Sequence, residues 1–281
     1  MEPLISALEL QDLLSDDDAL ILLDARHDLG NHQLGREQYL EGHIPGAIFL
    51  DHEIDLCGPK TGKNGRHPLP DREEFIRLLG NLGIGPQANI VVYDARDSMF
   101  AAHLWWMLRW AGCTKVRVLN GGWSAWGQIS GDIEREKPAP RAPVVWESGA
   151  TGMPVVDANA VLANINQPVF TVIDARAENR FRGENETIDP VAGHIPGAIN
   201  WPFSRNLDSD GFFLPVDELK SGFAQLLGNN KPEQIVHQCG SGISACHNLL
   251  AMEVAGLTGS ALYPGSWSEW CSDSSRPVAV G

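Results

Sequence analysis

The chain has no Cys-x-x-Cys pair, and its five cysteines (57, 113, 239, 246 and 271) are an odd number. Neither a disulfide framework nor a zinc knuckle is suggested, and this usage predicts a reducing, cytoplasmic setting. Cations are scarce: Lys plus Arg number 21 against 36 for Asp plus Glu, a formal net charge of −15. So acidic a chain repels phosphate backbones and anionic lipid surfaces, so nucleic acid and membrane are not expected as partners. The N-terminus has no basic start and no small-residue cleavage site, and Glu2, Glu9 and Asp12 argue against a transit sequence. Long apolar runs are missing as well. The longest mostly apolar stretch, 99–110, is interrupted by His103 and Arg109 and is too short to span a bilayer. No group of His, Cys and Asp residues has metal-ligand spacing, so neither a metal nor an organic cofactor is expected.

What is present suffices for buried cores. Apolar residues make up 43% and charged residues 20% of 281 residues, ordinary globular usage for a chain of about two domains. The chain also repeats itself. Asp24-Ala-Arg recurs at Asp174, and His43-Ile-Pro-Gly-Ala recurs at His194, 150 and 151 residues on. The stretch 89–98 corresponds to 234–243, and Gly-Gly-Trp-Ser-Ala-Trp ending at Trp126 corresponds to Pro-Gly-Ser-Trp-Ser-Glu-Trp ending at Trp270. Matched segments in the same order predict two homologous domains, 1–135 and 154–281. The Pro- and Gly-bearing stretch between them, 136–153, reads as a linker. Short buried runs ended by a polar residue (19–24, 89–94, 115–120), and in the second half the strand-like runs 171–175, 234–238 and 260–264, alternate with helix-period segments (71–83, 98–112, 217–228, 243–256). That alternation predicts an α/β fold, each domain a mostly parallel sheet flanked by helices. The repeat-bound tryptophans read as core, and Asp16-Asp17-Asp18 as a solvated turn.

Ligands of such sheets gather at the carboxyl ends of the strands. Cys239 stands at one such end, followed by Gly240-Ser241-Gly242-Ile243-Ser244 and a helix. Glycines let backbone N–H groups turn toward one point, and a helix start adds further donors. A thiol there is expected to be largely thiolate, the nucleophilic form. The first repeat has Asp94 in this place, so cysteine chemistry is confined to the second. The loop holds no arginine, which a phosphoryl group would need, so phosphatase chemistry is disfavoured.

Taken together, Tyr39-x3-His43-Ile-Pro-Gly-Ala, Gly193-His194-Ile-Pro-Gly-Ala, the loop at Cys239 and Tyr263-Pro-Gly-Ser-Trp-Ser-Glu-Trp270 resemble the tandem-domain rhodanese-type sulfurtransferases over nearly the whole chain. The resemblance implies an N-terminal domain without the catalytic cysteine and a C-terminal domain that carries it. Within the family, thiosulfate-specific members have basic residues in the loop. Cys239-Gly-Ser-Gly-Ile-Ser-Ala245 is similar instead to the neutral loop of the 3-mercaptopyruvate sulfurtransferases. The resemblance implies that Cys239 carries a persulfide, with Gly240, Gly242, Ile243 and Ser244 lining the loop. It implies that Arg180 in Asn179-Arg180-Phe181-Arg182-Gly183 binds the donor carboxylate, with Arg182 a helper or a surface charge. The family's second substrate arginine falls here on Asp189, which leaves a thiosulfate preference open. Replacing Asp189 by Arg would then improve donor binding. A Ser-His-Asp relay is implied with Ser241 and His43, although His194 occupies the same place in the second repeat and suggests a turn-fixing role; Asp28 is a nearby candidate for the aspartate. Cys246 reads as a packed helix residue. The implied partners are a small-molecule sulfur donor and a thiol acceptor such as a thioredoxin-like protein, or cyanide. Thiosulfate:cyanide transfer and a protein-fed persulfide carrier are the alternatives.

Overall fold

The computed structural model describes residues 2–17, 19–147, 149 and 152–281. The chain forms two compact units. The first comprises Met1–Cys57, Leu69–Gly152 and Asp208–Phe213, the second Gly58–Pro68, Met153–Leu207 and Leu214–Gly281. Neither unit is a single stretch of chain. Of the stretch 136–153, residues 148, 150 and 151 lie outside the described residues, and the remainder carries no helix or strand. Asp16 closes a helix and Asp17 caps it; Asp18 lies outside the described residues.

In the first unit the elements run β1 (Leu4–Ile5), α1 (Ala7–Asp16), β2 (Ile21–Asp24), α2 (Leu34–Glu41), β3 (Ile48–Phe49), α3 (Arg72–Asn81), β4 (Asn89–Tyr93), α4 (Met99–Ala111), β5 (Lys115–Leu119) and α5 (Gly122–Gln128). The second unit has α6 (Ala158–Asn166), β6 (Thr171–Asp174), α7 (Glu178–Phe181), β7 (Ile199–Asn200), α8 (Val216–Leu227), β8 (Ile235–Gln238), α9 (Ile243–Val254), β9 (Ala261–Leu262) and α10 (Ser266–Trp270). All strand pairings are parallel, in the orders β1-β5-β4-β2-β3 and β7-β6-β8-β9. Val155 bridges Leu262 in parallel, taking in the second sheet the place β1 has in the first. The fold class expected from the alternating pattern is therefore found, and in both units with one topology. β2 and β8 are buried at every residue, β8 including His237 and Gln238, as strands covered on both faces are. Among the described residues no helix is long and apolar enough to cross a membrane.

The repeated motifs have a common structural purpose. Asp24 ends β2 and Asp174 ends β6, and each binds the arginine two residues on. Arg26 and Arg176 donate from Nη2 to Oδ2 of these aspartates at 2.6 and 2.7 Å, and from the same nitrogen to the carbonyl oxygens of Gly42 and Gly193 at 2.8 and 2.7 Å. Each guanidinium lies 4.7 Å from the ring centroid of a tryptophan, Trp123 in one unit and Trp267 in the other. One buried ion pair thus joins the strand end, the His-Ile-Pro-Gly turn and the last helix of each unit.

The turn histidines are part of this scaffold. His43 stacks on Tyr39 and its Nδ1 donates to the Tyr39 carbonyl at 2.8 Å, while its backbone exchanges two hydrogen bonds with Glu134. His194 repeats the arrangement on Phe181, with its backbone paired to Ala279. A carbonyl only accepts, so the proton in each ring is on Nδ1.

Removing one partner of a buried ion pair strands the other charge. Asp174→Ala is therefore expected to lower unfolding stability by about 3–5 kcal/mol, read as a reduced urea midpoint with an unchanged slope.

Candidate active site

Cys239 follows β8 directly and opens the loop into α9. Gly242 sits at φ +91°, and a Cβ there would lie 2.7 Å from the Pro264 carbonyl oxygen. Both the backbone angle and the close approach require glycine. The turn aims the Gly242 N–H at Cys239 Sγ, 3.2 Å away. The Cys239 N–H donates to Ser266 Oγ at 3.1 Å, and the carbonyls of Cys239 and Gly240 accept from Trp267 and Ser268 at 2.9 Å each. The loop is thus tied to α10, and Cys239 is 2% exposed.

The first unit shows what this strand-to-helix turn accommodates. Asp94 follows β4 as Cys239 follows β8. Its carboxylate accepts from the N–H groups of Arg96, Ser98, Phe100 and Ala101 at 2.9–3.1 Å. Burial, reinforced by Asp97, pushes the Asp94 carboxyl up to about 7, against the pull of those amides. In the first unit the turn thus presents several N–H donors to the side chain that opens it, and in the second the Gly242 N–H points at Cys239 Sγ.

Ser241 Oγ lies 2.7 Å from His67 Nδ1, and both side chains are buried. The histidine beside the loop serine is therefore His67, not His43. His43 is closed within the first unit, bonded to Tyr39 at Nδ1, with Nε2 3.8 Å from the Glu134 carboxylate. Asp28, the candidate relay aspartate, accepts instead from the N–H groups of Gly30 and Asn31 in the first unit.

Two guanidinium groups lie over Gly240. An ideal Cβ on that glycine would be 2.8 Å from Arg66 Nη2 and 3.7 Å from Arg180 Nη1. Arg180 is held from behind: Nε and Nη2 donate to Glu186 at 3.1 and 3.0 Å, and Nη2 to Asp189 at 3.0 Å. Asp189 also pairs with Arg66 Nη1. Burial raises the Asp189 carboxyl while Arg66 opposes the shift. The position expected to supply a second arginine thus supplies a carboxylate that ties together two arginines, the second cation arriving from Arg66. Arg182 pairs with Glu184 at 3.0 Å and Glu178 at 3.7 Å on exposed surface, the surface-charge alternative. Ile243 is buried and Ser244 half-buried, both in the first turn of α9. Cys246 Sγ donates to the Gly242 carbonyl at 3.3 Å, and burial pushes its thiol well up; it supports the loop from beneath.

Arg66 and His67 had a signal in the sequence. Residues 58–68 (Gly-Pro-Lys-Thr-Gly-Lys-Asn-Gly-Arg-His-Pro) hold three cations and no acid in a chain with a net charge of −15. The segment packs in the second unit, where the Arg66 N–H donates to Ser268 Oγ at 3.0 Å.

A family model for the rhodanese-like domain matches residues 6–129 and 157–273. The chain is 43% identical over 280 residues to a Pseudomonas aeruginosa protein named as a probable 3-mercaptopyruvate sulfurtransferase, covering 99% of this chain and 98% of the relative. It is 35% identical over 257 residues to the thiosulfate sulfurtransferase of Bos taurus, covering 89% and 84%. The solved structure of the 3-mercaptopyruvate sulfurtransferase from Leishmania major superposes with a TM-score of 0.87 at 27% identity, covering 99% of this chain and 76% of that one.

Gly242→Ala forces a Cβ into the Pro264 carbonyl at a left-handed position. It is expected to cost about 1–3 kcal/mol in urea unfolding, and to slow alkylation of Cys239 as the loop amide turns away from the sulfur.

Proposed function

The chain belongs to the rhodanese-like domain family, and from that premise we propose that it transfers sulfane sulfur from 3-mercaptopyruvate, through a persulfide on Cys239, to cyanide or a thiol acceptor. The observation that carries this reading is the pair of guanidinium edges from Arg66 and Arg180 over Gly240, beside a loop that is itself uncharged. Such a site grips one carboxylate at a short distance from the sulfur and leaves the sulfur among neutral N–H donors.

In the proposed reaction Arg66 and Arg180 hold the donor carboxylate. The Cys239 thiolate attacks the mercapto sulfur. An S–S bond forms, the C–S bond breaks, and its electron pair leaves on the carbon of the pyruvate enolate. The proton of the mercapto group, relayed by Ser241 and His67, ends on that carbon. Pyruvate departs and the persulfide anion remains, with the Gly242 N–H as donor. The acceptor then attacks the outer sulfur, and the Cys239 thiolate returns. The physiological acceptor is a small thiol or a reduced thioredoxin-like protein.

Thiosulfate is the second reading, favoured by the presence of two cationic edges, which suit a dianion. There the S–S bond of thiosulfate breaks and sulfite leaves.

Steady-state turnover with each donor, cyanide as acceptor, separates the readings. Mercaptopyruvate is expected to exceed thiosulfate in kcat/KM by more than about tenfold, and Cys239→Ser to be inactive. A thiosulfate preference overturns the first reading, and no turnover with either donor points to a protein-fed carrier. Arg66→Ala and Arg180→Ala are each expected to raise KM for mercaptopyruvate about 10- to 100-fold, as lost charge-assisted hydrogen bonds do. Asp189→Arg, which would improve binding if a cation were merely missing, is instead expected to repel both guanidiniums and lower kcat/KM.

A further inference from the structure

The first unit holds a second cluster of chemically capable side chains that sulfur transfer does not use. His27 follows the end of β2, while His52, Glu53 and Cys57 stand in the loop after β3. His103 projects from α4, and His32 lies just before α2. One ligand atom from each of His27, His52 and Glu53 lies within 4.8 Å of the others. His27 Nε2 is 3.9 Å from Glu53 Oε1, and His32 Nδ1 is 3.2 Å from the same oxygen. The His27 side chain is 2% exposed, and its Nε2 has no hydrogen-bond partner. A buried ring nitrogen without a partner is costly unless something occupies it.

The surroundings resemble a supporting shell. His52 Nε2 lies 3.2 Å from His103 Nδ1, and its Nδ1 lies 3.9 Å from Cys57 Sγ. Phe100 packs edge-on against the rings of both His27 and His52. To ligate, His52 must free one of these two nitrogens; the contact at the other and the apolar wall would then orient its ring. The repeat makes the cluster more telling. The matching places in the second unit are Ala177, Phe203 and Ser204, so the shared fold does not require these side chains.

We propose that His27, His52 and Glu53, with His32 as a fourth ligand, form a binding site for a late first-row divalent cation, zinc foremost. Two or three imidazoles with one carboxylate suit Zn²⁺ and its Co²⁺ surrogate rather than Mg²⁺ or Ca²⁺. Nitrogen and oxygen ligands around zinc sit roughly 2.0–2.2 Å from the metal, so the atoms of His27, His52 and Glu53 need to close in, the stacked His27 and His52 rings need to turn toward one point, and His32 needs to swing in to join them. The bound ion would pin the loop after β3 to the end of β2.

The full-length protein, stripped with a chelator, is titrated with Co²⁺ and then Zn²⁺. One equivalent of Co²⁺ is expected to give visible ligand-field absorption that one equivalent of Zn²⁺ removes, and Zn²⁺ is expected to raise the melting temperature. Both effects are expected to vanish in His27→Gln and in Glu53→Gln and to persist in Cys239→Ser. Glu53 is partly exposed, so its variant keeps the test valid if His27→Gln fails to fold. Absence of stoichiometric binding overturns the proposal. So does binding that survives both His27→Gln and Glu53→Gln, or that disappears in Cys239→Ser, since a thiol would then be the ligand.

Discussion

A buried aspartate–arginine pair at a strand end organises each unit. In the second unit Asp174 and Arg176 take the strand terminus, the Gly193 carbonyl and the Trp267 ring into one contact. Such a pair contributes little net stability by itself, because desolvating two charges offsets most of their attraction. Its effect is geometric: one guanidinium holds the strand-end aspartate and the Gly193 carbonyl at the same time. Arg176 Nη1 also lies 3.7 Å from Glu186, which binds Arg180, which shares Asp189 with Arg66. A line of alternating charge therefore runs from the sheet to the loop at Cys239. The first unit has the same pair at Asp24 and Arg26, and Gly30 stands in it where the second unit has Arg180.

Much of this was legible in the residues alone. Apolar runs such as 20–23 and 90–93 carry a parallel strand on their face, because burial on both sides removes any polar alternation. The glycines around Cys239 betray a turn that only glycine can make. Arg180 could be carried over from a motif because its neighbours in sequence are its neighbours in space.

Histidine was harder to assign. His43 stands in a conspicuous motif, yet its conspicuousness comes from packing: a stacked ring and a carbonyl-bound Nδ1 stabilise a turn in both repeats. His67 carries no motif and meets Ser241 only through a long-range fold-back of residues 58–68. The cluster of His27, His52 and His103 is likewise assembled from a strand end, a loop and a helix, so no spacing along the chain reveals it. Asp189 was read as a missing cation because only its charge was visible; its partners, Arg66 and Arg180, come from segments 123 and 9 residues away.

The division of segments between units bears on how such a protein can change over generations. Residues 58–68 lie among the first repeat's elements yet pack in the second unit, while 208–213 do the reverse. Each copy has surrendered a piece to the other. A gene rearrangement that cut cleanly between the repeats would leave the cysteine-bearing half without Arg66 and His67. The first repeat thus cannot be discarded without loss: residues encoded within it, Arg66 and His67, stand beside the Cys239 loop.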